Sequence, residues 1–156
     1  MDVDNGIKVD EFARTNDTDI LAAGDCTAHY NPLYQRQLRL ESVQNAQDQA
    51  TVAANTLCGN LKPYAALPWF WSDQYDLKLQ IAGLSQGYTD LVIRGDIKGS
   101  RSFAAFYLRD SQLLAVDAVN RPQDFMLGKR LILQGKRLDA KQLADQDLPL
   151  KTLLAS

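Results

Sequence analysis

The segment Asp76-Leu77-Lys78-Leu79-Gln80-Ile81-Ala82 alternates apolar and polar side chains along its length. This period of two is typical of a β-strand that buries one face. Three further segments of strand length follow it, at residues 89–94, 102–108 and 113–120. The connections between them are short, and short connections join antiparallel strands because parallel strands need a longer crossover. We therefore predict a set of antiparallel hairpins in the back half of this chain.

Two helices are predicted after these strands. The first begins at Arg121-Pro122, because proline suits the first turn of a helix, and it carries Phe125 and Met126. The second is short and covers residues 139–144. The back half is therefore predicted to be an α+β domain with an antiparallel sheet of four or five strands and two helices.

The front of the chain contains a compact apolar run, Ile20-Leu21-Ala22-Ala23, which ends at Gly24-Asp25. Such a run is typical of a buried strand in an α/β sheet. One other extended piece, residues 6–9, precedes the long helix, and two short strands do not make a parallel sheet. We therefore interpret residues 1–60 as the strand-helix remnant of a larger α/β domain whose other strands are absent from this sequence.

A long helix follows, with apolar residues spaced by three and four positions. They predict one apolar face, made of Leu40, Val43, Ala46, Ala50, Ala53 or Ala54, and Leu57. Ser42 is the expected N-cap, with Asn45 three residues later, and Gly59-Asn60 provides the stop. Because this face is mostly alanine, we expect the helix to pack closely against a neighbour that this sequence hardly provides.

The prolines of Lys62-Pro63 and Leu67-Pro68 interrupt the helical pattern, and we place a domain boundary near Leu61. Residues 1–60 contain four basic and nine acidic groups, a balance of −5, whereas residues 61–156 contain thirteen basic and ten acidic groups, a balance of +3. A balance of +3 is too weak to predict nucleic-acid binding. It is compatible with an acidic protein partner.

Composition excludes several classes of protein and of site. The chain has 156 residues, 46% of them hydrophobic, and no apolar run approaches the ~18 residues of a membrane span. Cys26, Cys58 and a single histidine, His29, cannot make a usual four-ligand zinc site, and we expect no metal site. The two cysteines lie far apart without a CxxC pattern, so we expect a reduced, cytoplasmic chain, and we expect His29 to be solvated in a loop. No glycine-rich phosphate loop is present.

Three stretches of the sequence resemble those of a known protein family. They are Ile20-Leu21-Ala22-Ala23-Gly24-Asp25-Cys26, Arg39-Leu40-Glu41-Ser42-Val43-Gln44-Asn45-Ala46, and Pro68-Trp69-Phe70-Trp71-Ser72-Asp73-Gln74-Tyr75-Asp76. The chain resembles the FAD-dependent ferredoxin reductases that serve bacterial Rieske-type dioxygenases and haem monooxygenases; rubredoxin reductases and apoptosis-inducing factor are more distant relatives. The resemblance extends over essentially the whole chain but implies only the last third or so of such an enzyme, that is, a C-terminal fragment.

The resemblance also implies roles for individual residues. Asp25 corresponds to a carboxylate that accepts a hydrogen bond from a ribityl hydroxyl of FAD, and Gly24 lets the backbone approach the cofactor. The helix start at Glu41, Ser42 and Val43 faces the flavin, where the positive end of a helix dipole stabilises negative charge. From the residues alone, a turn aspartate and an ordinary capped helix facing water explain the same pattern.

Trp71 is the sixth candidate residue for cofactor binding. Three consecutive aromatic residues, Trp69-Phe70-Trp71, cannot all enter one small core, so at least one is expected near an interface. In the family, the tryptophan directly before Ser-Asp-Gln lies beside the flavin, and this stretch borders the ferredoxin docking face. The alternative is one buried tryptophan and one that is half-exposed.

The expected function is therefore electron transfer from NAD(P)H through FAD to a two-iron two-sulfur ferredoxin or a rubredoxin, with no catalytic side chain and with the isolated fragment inactive. Arg94, Lys98, Arg101 and Arg109 are candidates for the basic side of the docking face. The alternative is a separated protein-interaction or dimerisation module without a cofactor. Residues 1–60, lacking their neighbours, are expected to be loosely held or ordered by forming a homodimer.

Overall fold

The computed structural model describes residues 1–155 and divides into two compact units, Met1–Pro68 and the remainder from Trp69 onwards. The first unit extends beyond the predicted boundary near Leu61. The reason is Tyr64, which is buried in one apolar cluster with Ala13 and Val52 and is therefore part of the first unit.

A small three-stranded sheet and one helix build the first unit. The strands are β1 (Ile7–Val9), β2 (Thr27–Asn31) and β3 (Arg36–Leu38), in the order β1-β2-β3. Strands β1 and β2 run parallel, and β2 and β3 run antiparallel. The helix α1 covers Val43–Leu57, with the predicted N-cap Ser42, whose hydroxyl accepts a hydrogen bond from the Asn45 N–H.

The strand predicted at residues 20–25 does not form. Leu21 makes only an isolated bridge to Arg14, Ile20 is 38% exposed, and Gly24 turns with a φ of +86°. The sheet strand lies immediately downstream, in β2, where Thr27, His29 and Asn31 are buried polar residues. The apolar pattern therefore pointed to the wrong segment, because β2 can bury polar side chains: Thr27, Asn31 and the Nδ1 of His29 have hydrogen-bond partners. The expectation of a solvated loop at His29 is also wrong, since His29 is 2% exposed.

The predicted apolar face of α1 is not the buried one. Val43 and Leu57 are exposed, whereas the residues that α1 buries are Gln44, Asn45, Gln49 and Val52. Side-chain amides can occupy a buried helix face when each has hydrogen-bond partners. The partners of Asn45 and Gln49 come from β2, from the turn before it and from Tyr64.

The second unit is an α+β fold with a five-stranded antiparallel sheet, as predicted. Its strands are β4 (Trp69–Gln74), β5 (Leu77–Gly83), β6 (Asp90–Asp96), β7 (Ser102–Arg109) and β8 (Gln112–Val119), in the order β4-β5-β8-β7-β6. Every neighbouring pair is antiparallel. The predicted helices are α2 (Pro122–Gln134), with proline in its first turn, and α3 (Ala140–Ala144), capped by Asp139. The third helix of this unit, the short α4 (Thr152–Ala155), was not predicted.

Helix α2 packs closely against one face of this sheet. Gly128 makes this approach possible, since a Cβ there would lie 2.5 Å from a methyl carbon of Val116 in β8. Phe106, Val116, Leu131 and Ile132 are among the fully buried side chains of this layer. Within residues 1–155, no helix is both long and apolar enough to cross a membrane.

Candidate functional site

The first candidate site lies in the first unit, where the turn at Gly24-Asp25 meets the start of α1. Gly24 is buried and its positive φ is a conformation that glycine adopts without strain. Asp25 follows it and is exposed, and its carboxylate oxygens form no hydrogen bond or ion pair within residues 1–155. The turn therefore holds a free carboxylate at the surface of this unit.

Arg39 brings this turn and the helix start together. Its guanidinium forms an ion pair with Glu41, and its Nη1 donates to the backbone oxygen of Asp25 at 3.4 Å. Arg39 thus links the Glu41 carboxylate to the Asp25 backbone. Glu41 is exposed and Val43, the first residue of α1, is 51% exposed.

The start of α1 has the electrostatics of an anion-stabilising site. The first N–H groups of any helix lack partners within the helix, and the helix dipole adds positive potential there. Ser42 satisfies one of these groups, the Asn45 N–H, at 3.1 Å. The structure therefore brings together five of the six predicted residues, Gly24, Asp25, Glu41, Ser42 and Val43, in one unit.

A buried polar network beneath this site was missed by the sequence analysis. Gln49 Oε1 accepts a hydrogen bond from the Gly24 N–H at 2.7 Å, and Gln49 Nε2 lies 3.1 Å from His29 Nδ1. Tyr64 donates to Asn45 Oδ1 at 2.9 Å, and its ring meets that of His29 edge-on, with centroids 5.0 Å apart. The signal available in the sequence was the pair Asn45 and Gln49, two amides four residues apart on one helix face.

Burial sets the ionisation of two members of this network. It lowers the pKa of His29, because a buried imidazole loses the hydration that its charged form needs. It raises the pKa of Tyr64 to about 12 for the same reason, since the phenolate is the charged form. Both groups are therefore neutral near pH 7, and the network consists of uncharged hydrogen bonds.

The sixth predicted residue, Trp71, lies in the second unit on β4, one of the two edge strands of the sheet. It is 47% exposed and stacks on Trp69, with ring centroids 5.3 Å apart. Lys129 of α2 places its Nζ 5.0 Å from the centroid of the Trp69 ring and 5.5 Å from that of Phe125. We call Trp69, Trp71, Phe125 and Lys129 the Trp71 cluster. A cation and an exposed indole thus share one surface.

The four basic residues predicted for a docking face do not all lie at the surface. Arg94 is 4% exposed, and its guanidinium donates to backbone oxygens of residues 143–148, so it is not available to a partner. Arg101 is exposed and paired with Asp76 at 2.6 Å. Lys98 and Arg109 are exposed. The prediction is therefore wrong for Arg94. Its side chain points from β6 towards α3, and it is buried there despite its charge.

Residues 69–154 match the family described as "Reductase C-terminal". The chain belongs to this reductase C-terminal family. Residues 1–50 match a second family, described as "Pyridine nucleotide-disulphide oxidoreductase".

Curated proteins that resemble this member of the reductase C-terminal family are named as ferredoxin reductases. A 5,5'-dehydrodivanillate O-demethylase ferredoxin reductase subunit of Sphingobium sp. is 48% identical over 97% of this chain. A putidaredoxin reductase of Pseudomonas putida is 42% identical over 100% of it. In both cases the chain spans 37% of the relative's length.

Two solved structures contain a segment whose backbone closely matches that of this chain. The covalent putidaredoxin reductase–putidaredoxin complex superposes with a TM-score of 0.92 at 43% identity, covering 99% of this chain and 37% of that one. A ferredoxin reductase from Rhodopseudomonas palustris superposes with a TM-score of 0.89 at 42% identity, covering 98% and 38%. The resemblance read from the sequence is thereby confirmed.

Two other features of the candidate sites concern metals and thiols. Among residues 1–155, no group of three or more His, Cys, Asp or Glu side chains is arranged to hold a metal ion. Cys26 and Cys58 are both exposed free thiols. Neither cysteine takes part in the buried network under Gly24.

Proposed function

We propose that this chain forms part of a flavoprotein that passes electrons from NAD(P)H through FAD to a two-iron two-sulfur ferredoxin or a related small iron-sulfur protein. The names of its relatives support this function. The observation that carries it is the Gly24-Asp25 turn held beside the start of α1 by Arg39. In this proposal residues 1–60 belong to the FAD-binding domain and residues 61–156 to the interface or docking domain, and the protein is cytoplasmic.

The residues at this turn fit FAD. The Asp25 carboxylate is free to accept a hydrogen bond from a hydroxyl group, and hydrogen bonds to a charged acceptor are the stronger kind. Ser42 and Val43 begin a helix whose N–H groups favour a group that becomes negative on reduction. When bound, FAD supplies the exchange between a two-electron hydride donor and a one-electron acceptor. These side chains bind and orient, and no side-chain nucleophile is needed.

The Trp71 cluster is the surface that we propose for the iron-sulfur partner. The exposed Trp71 ring offers apolar area, and Lys129, which lies over the neighbouring Trp69 ring, offers positive charge. An aromatic anchor next to a cation suits an acidic protein partner, because charge steers the encounter and the buried aromatic ring contributes most of the affinity. We also propose Trp71 as a flavin-binding residue of the full-length protein.

The full-length protein with Asp25 replaced by alanine tests the FAD part of the proposal. We expect the dissociation constant of FAD to rise by about tenfold or more, because a charge-assisted hydrogen bond is worth roughly 1.5–3 kcal/mol. Asp19→Ala is the matched control, since Asp19 is another exposed aspartate of the same unit. Equal flavin affinity in the two variants, or a full-length protein that binds no FAD, refutes the proposed site. The latter result favours the alternative, a protein-interaction module without a cofactor.

A further inference from the structure

We infer that Gln49 is a positioning residue for the flavin. It fixes the Gly24-Asp25 turn against α1, so that the Asp25 carboxylate and the start of α1 bind the same cofactor. This inference rests on the proposed function. Gln49 is 2% exposed, lies 25 residues beyond Gly24 in the sequence, and joins the two elements by side-chain hydrogen bonds alone.

The orientation of the Gln49 amide is determined by its partners. The backbone N–H of Gly24 can only donate, so the group 2.7 Å away must be the carbonyl oxygen of Gln49. Thr27 Oγ1 lies 2.7 Å from the same oxygen. The amide nitrogen therefore faces His29 Nδ1, at 3.1 Å, and donates to it. Both ends of the side chain are engaged.

Its partners are the residues that shape the turn. Gly24 donates to Gln49 from its N–H and accepts, at its carbonyl oxygen, a hydrogen bond from the Thr27 N–H at 3.0 Å. The single Thr27 hydroxyl proton is shared between this oxygen, at 2.8 Å, and Gln49 Oε1. Gln49 thus binds one side of the turn and Thr27 closes the other. Because Asp25 is the next residue along the chain, the direction of its carboxylate depends on this arrangement.

The same amide is linked to the other half of the site. Asn45, one helical turn before Gln49, lies with its Nδ2 3.5 Å from Gln49 Oε1 and donates from the same nitrogen to the Leu40 backbone oxygen at 3.0 Å. Ser42, in turn, accepts from the Asn45 N–H. One row of buried amides therefore connects Gly24 to the segment that precedes α1. Gln49 acts on the cofactor through Gly24 and makes no contact of its own with the exposed carboxylate.

The test uses the full-length protein with Gln49→Met, which keeps the length of the side chain and removes its hydrogen bonds. Gln49→Glu is the conservative variant, because a carboxylate still accepts from the Gly24 N–H and accepts from His29 Nδ1 once that nitrogen carries the imidazole proton. Gln47→Met is the matched control, since Gln47 is exposed on the same helix. The measurements are the dissociation constant of FAD, the visible circular dichroism of the bound flavin and its midpoint potential.

We expect Gln49→Met to weaken FAD binding about tenfold, to change the flavin circular dichroism and to shift the midpoint potential, and Gln49→Glu to remain within about threefold of the unmodified protein. Gln47→Met should match the unmodified protein. A Gln49→Met protein with lower thermal stability but unchanged affinity, spectrum and potential overturns the inference and leaves the proposed function intact. If the methionine variant does not fold, Gln49→Glu decides: more than tenfold weaker binding overturns the inference. An unmodified protein without FAD overturns both proposals.

Discussion

Arg94 donates from Nη2 to the backbone oxygen of Leu148 at 2.7 Å, across 54 residues of sequence. The same guanidinium also reaches the backbone oxygens of Leu143, Asp145 and Gln146. One buried cation thereby holds the segment between α3 and α4 against the edge strand β6.

Replacing Arg94 with methionine should lower the free energy of unfolding of the second unit by about 3 kcal/mol, because hydrogen bonds to charged groups are the most valuable ones and the carbonyls lose their donor. Both tryptophans, Trp69 and Trp71, lie in this unit, so urea unfolding followed by tryptophan fluorescence reports on it. Arg109→Met is the exposed control. If both variants lose the same small amount, Arg94 is not the anchor of this segment.

Acid should destabilise the first unit through His29, the single histidine of the sequence. Burial lowers the pKa of folded His29, whereas the unfolded side chain takes up a proton near pH 6.5. The unfolded state therefore binds more protons as the pH falls below about 6.5, and the free energy of unfolding decreases with it, whereas above that pH the contribution of His29 is complete.

Amide hydrogen exchange of residues 27–31 between pH 5 and 8, corrected for intrinsic rates, measures this effect. His29→Gln is the control, and it should lose the dependence even if it is less stable at pH 8. The half-buried Asp117 and the buried Asp124, whose pKa values are raised by burial, are present in both proteins and cancel in the comparison. The same pH dependence in both proteins would show that His29 is not responsible.

Removing the hydroxyl of Tyr107 should raise the pKa of Asp117 further. Burial already raises the pKa of this carboxyl, and the hydrogen bond that Tyr107 donates to it at 2.8 Å acts in the opposite direction. We expect a higher Asp117 pKa in Tyr107→Phe, measured from its carboxyl carbon by NMR. Tyr88→Phe is the control, because the Tyr88 ring packs on Tyr107 without bonding to Asp117. An unchanged pKa in Tyr107→Phe contradicts the prediction.

Trp71→Ala in the full-length protein should slow electron delivery to the ferredoxin, or disturb the flavin spectrum, more than it affects folding. Tyr75→Ala is the control, since Tyr75 is a fully exposed aromatic residue at the turn that ends β4. Lys129 makes the encounter sensitive to salt, because exposed charges more than ~10 Å apart are screened near 0.1 M salt. Unchanged turnover in Trp71→Ala, together with a salt-indifferent unmodified protein, removes the case for this docking surface.

Residues 1–156 alone should bind FAD weakly. No glycine-rich loop in this sequence can hold a pyrophosphate, and in dinucleotide-binding folds that contact provides much of the affinity. Isothermal calorimetry with FAD measures this directly. A sub-micromolar dissociation constant for this chain would contradict the prediction.

The sequence by itself determined the elements whose signals are local. The hydroxyl of Ser42 and the Asn45 N–H lie three residues apart, so the start of α1 was predictable from that spacing, and Pro122 marked the start of α2 in the same way. Alternation in residues 76–82 specified the strand β5 but not its buried face, since the fully buried residue is Ala82 and not Leu77, Leu79 or Ile81. These features depend on interactions between residues a few positions apart, and such residues can be identified directly from the sequence.

Only the tertiary structure decided which polar groups are buried. His29, Gln49 and Arg94 are residue types common at surfaces, yet each lies inside and bonds to partners 20 to 54 residues away. Within residues 1–155, His29 Nε2 and Arg94 Nε remain buried without a hydrogen-bond partner. The same reason explains why no strand forms at residues 20–25. The apolar run predicted a strand there, but the neighbouring segment β2 occupies the position between β1 and β3 in the sheet. Burial of a polar side chain is stabilised by long-range pairing, and the fold alone creates those pairs.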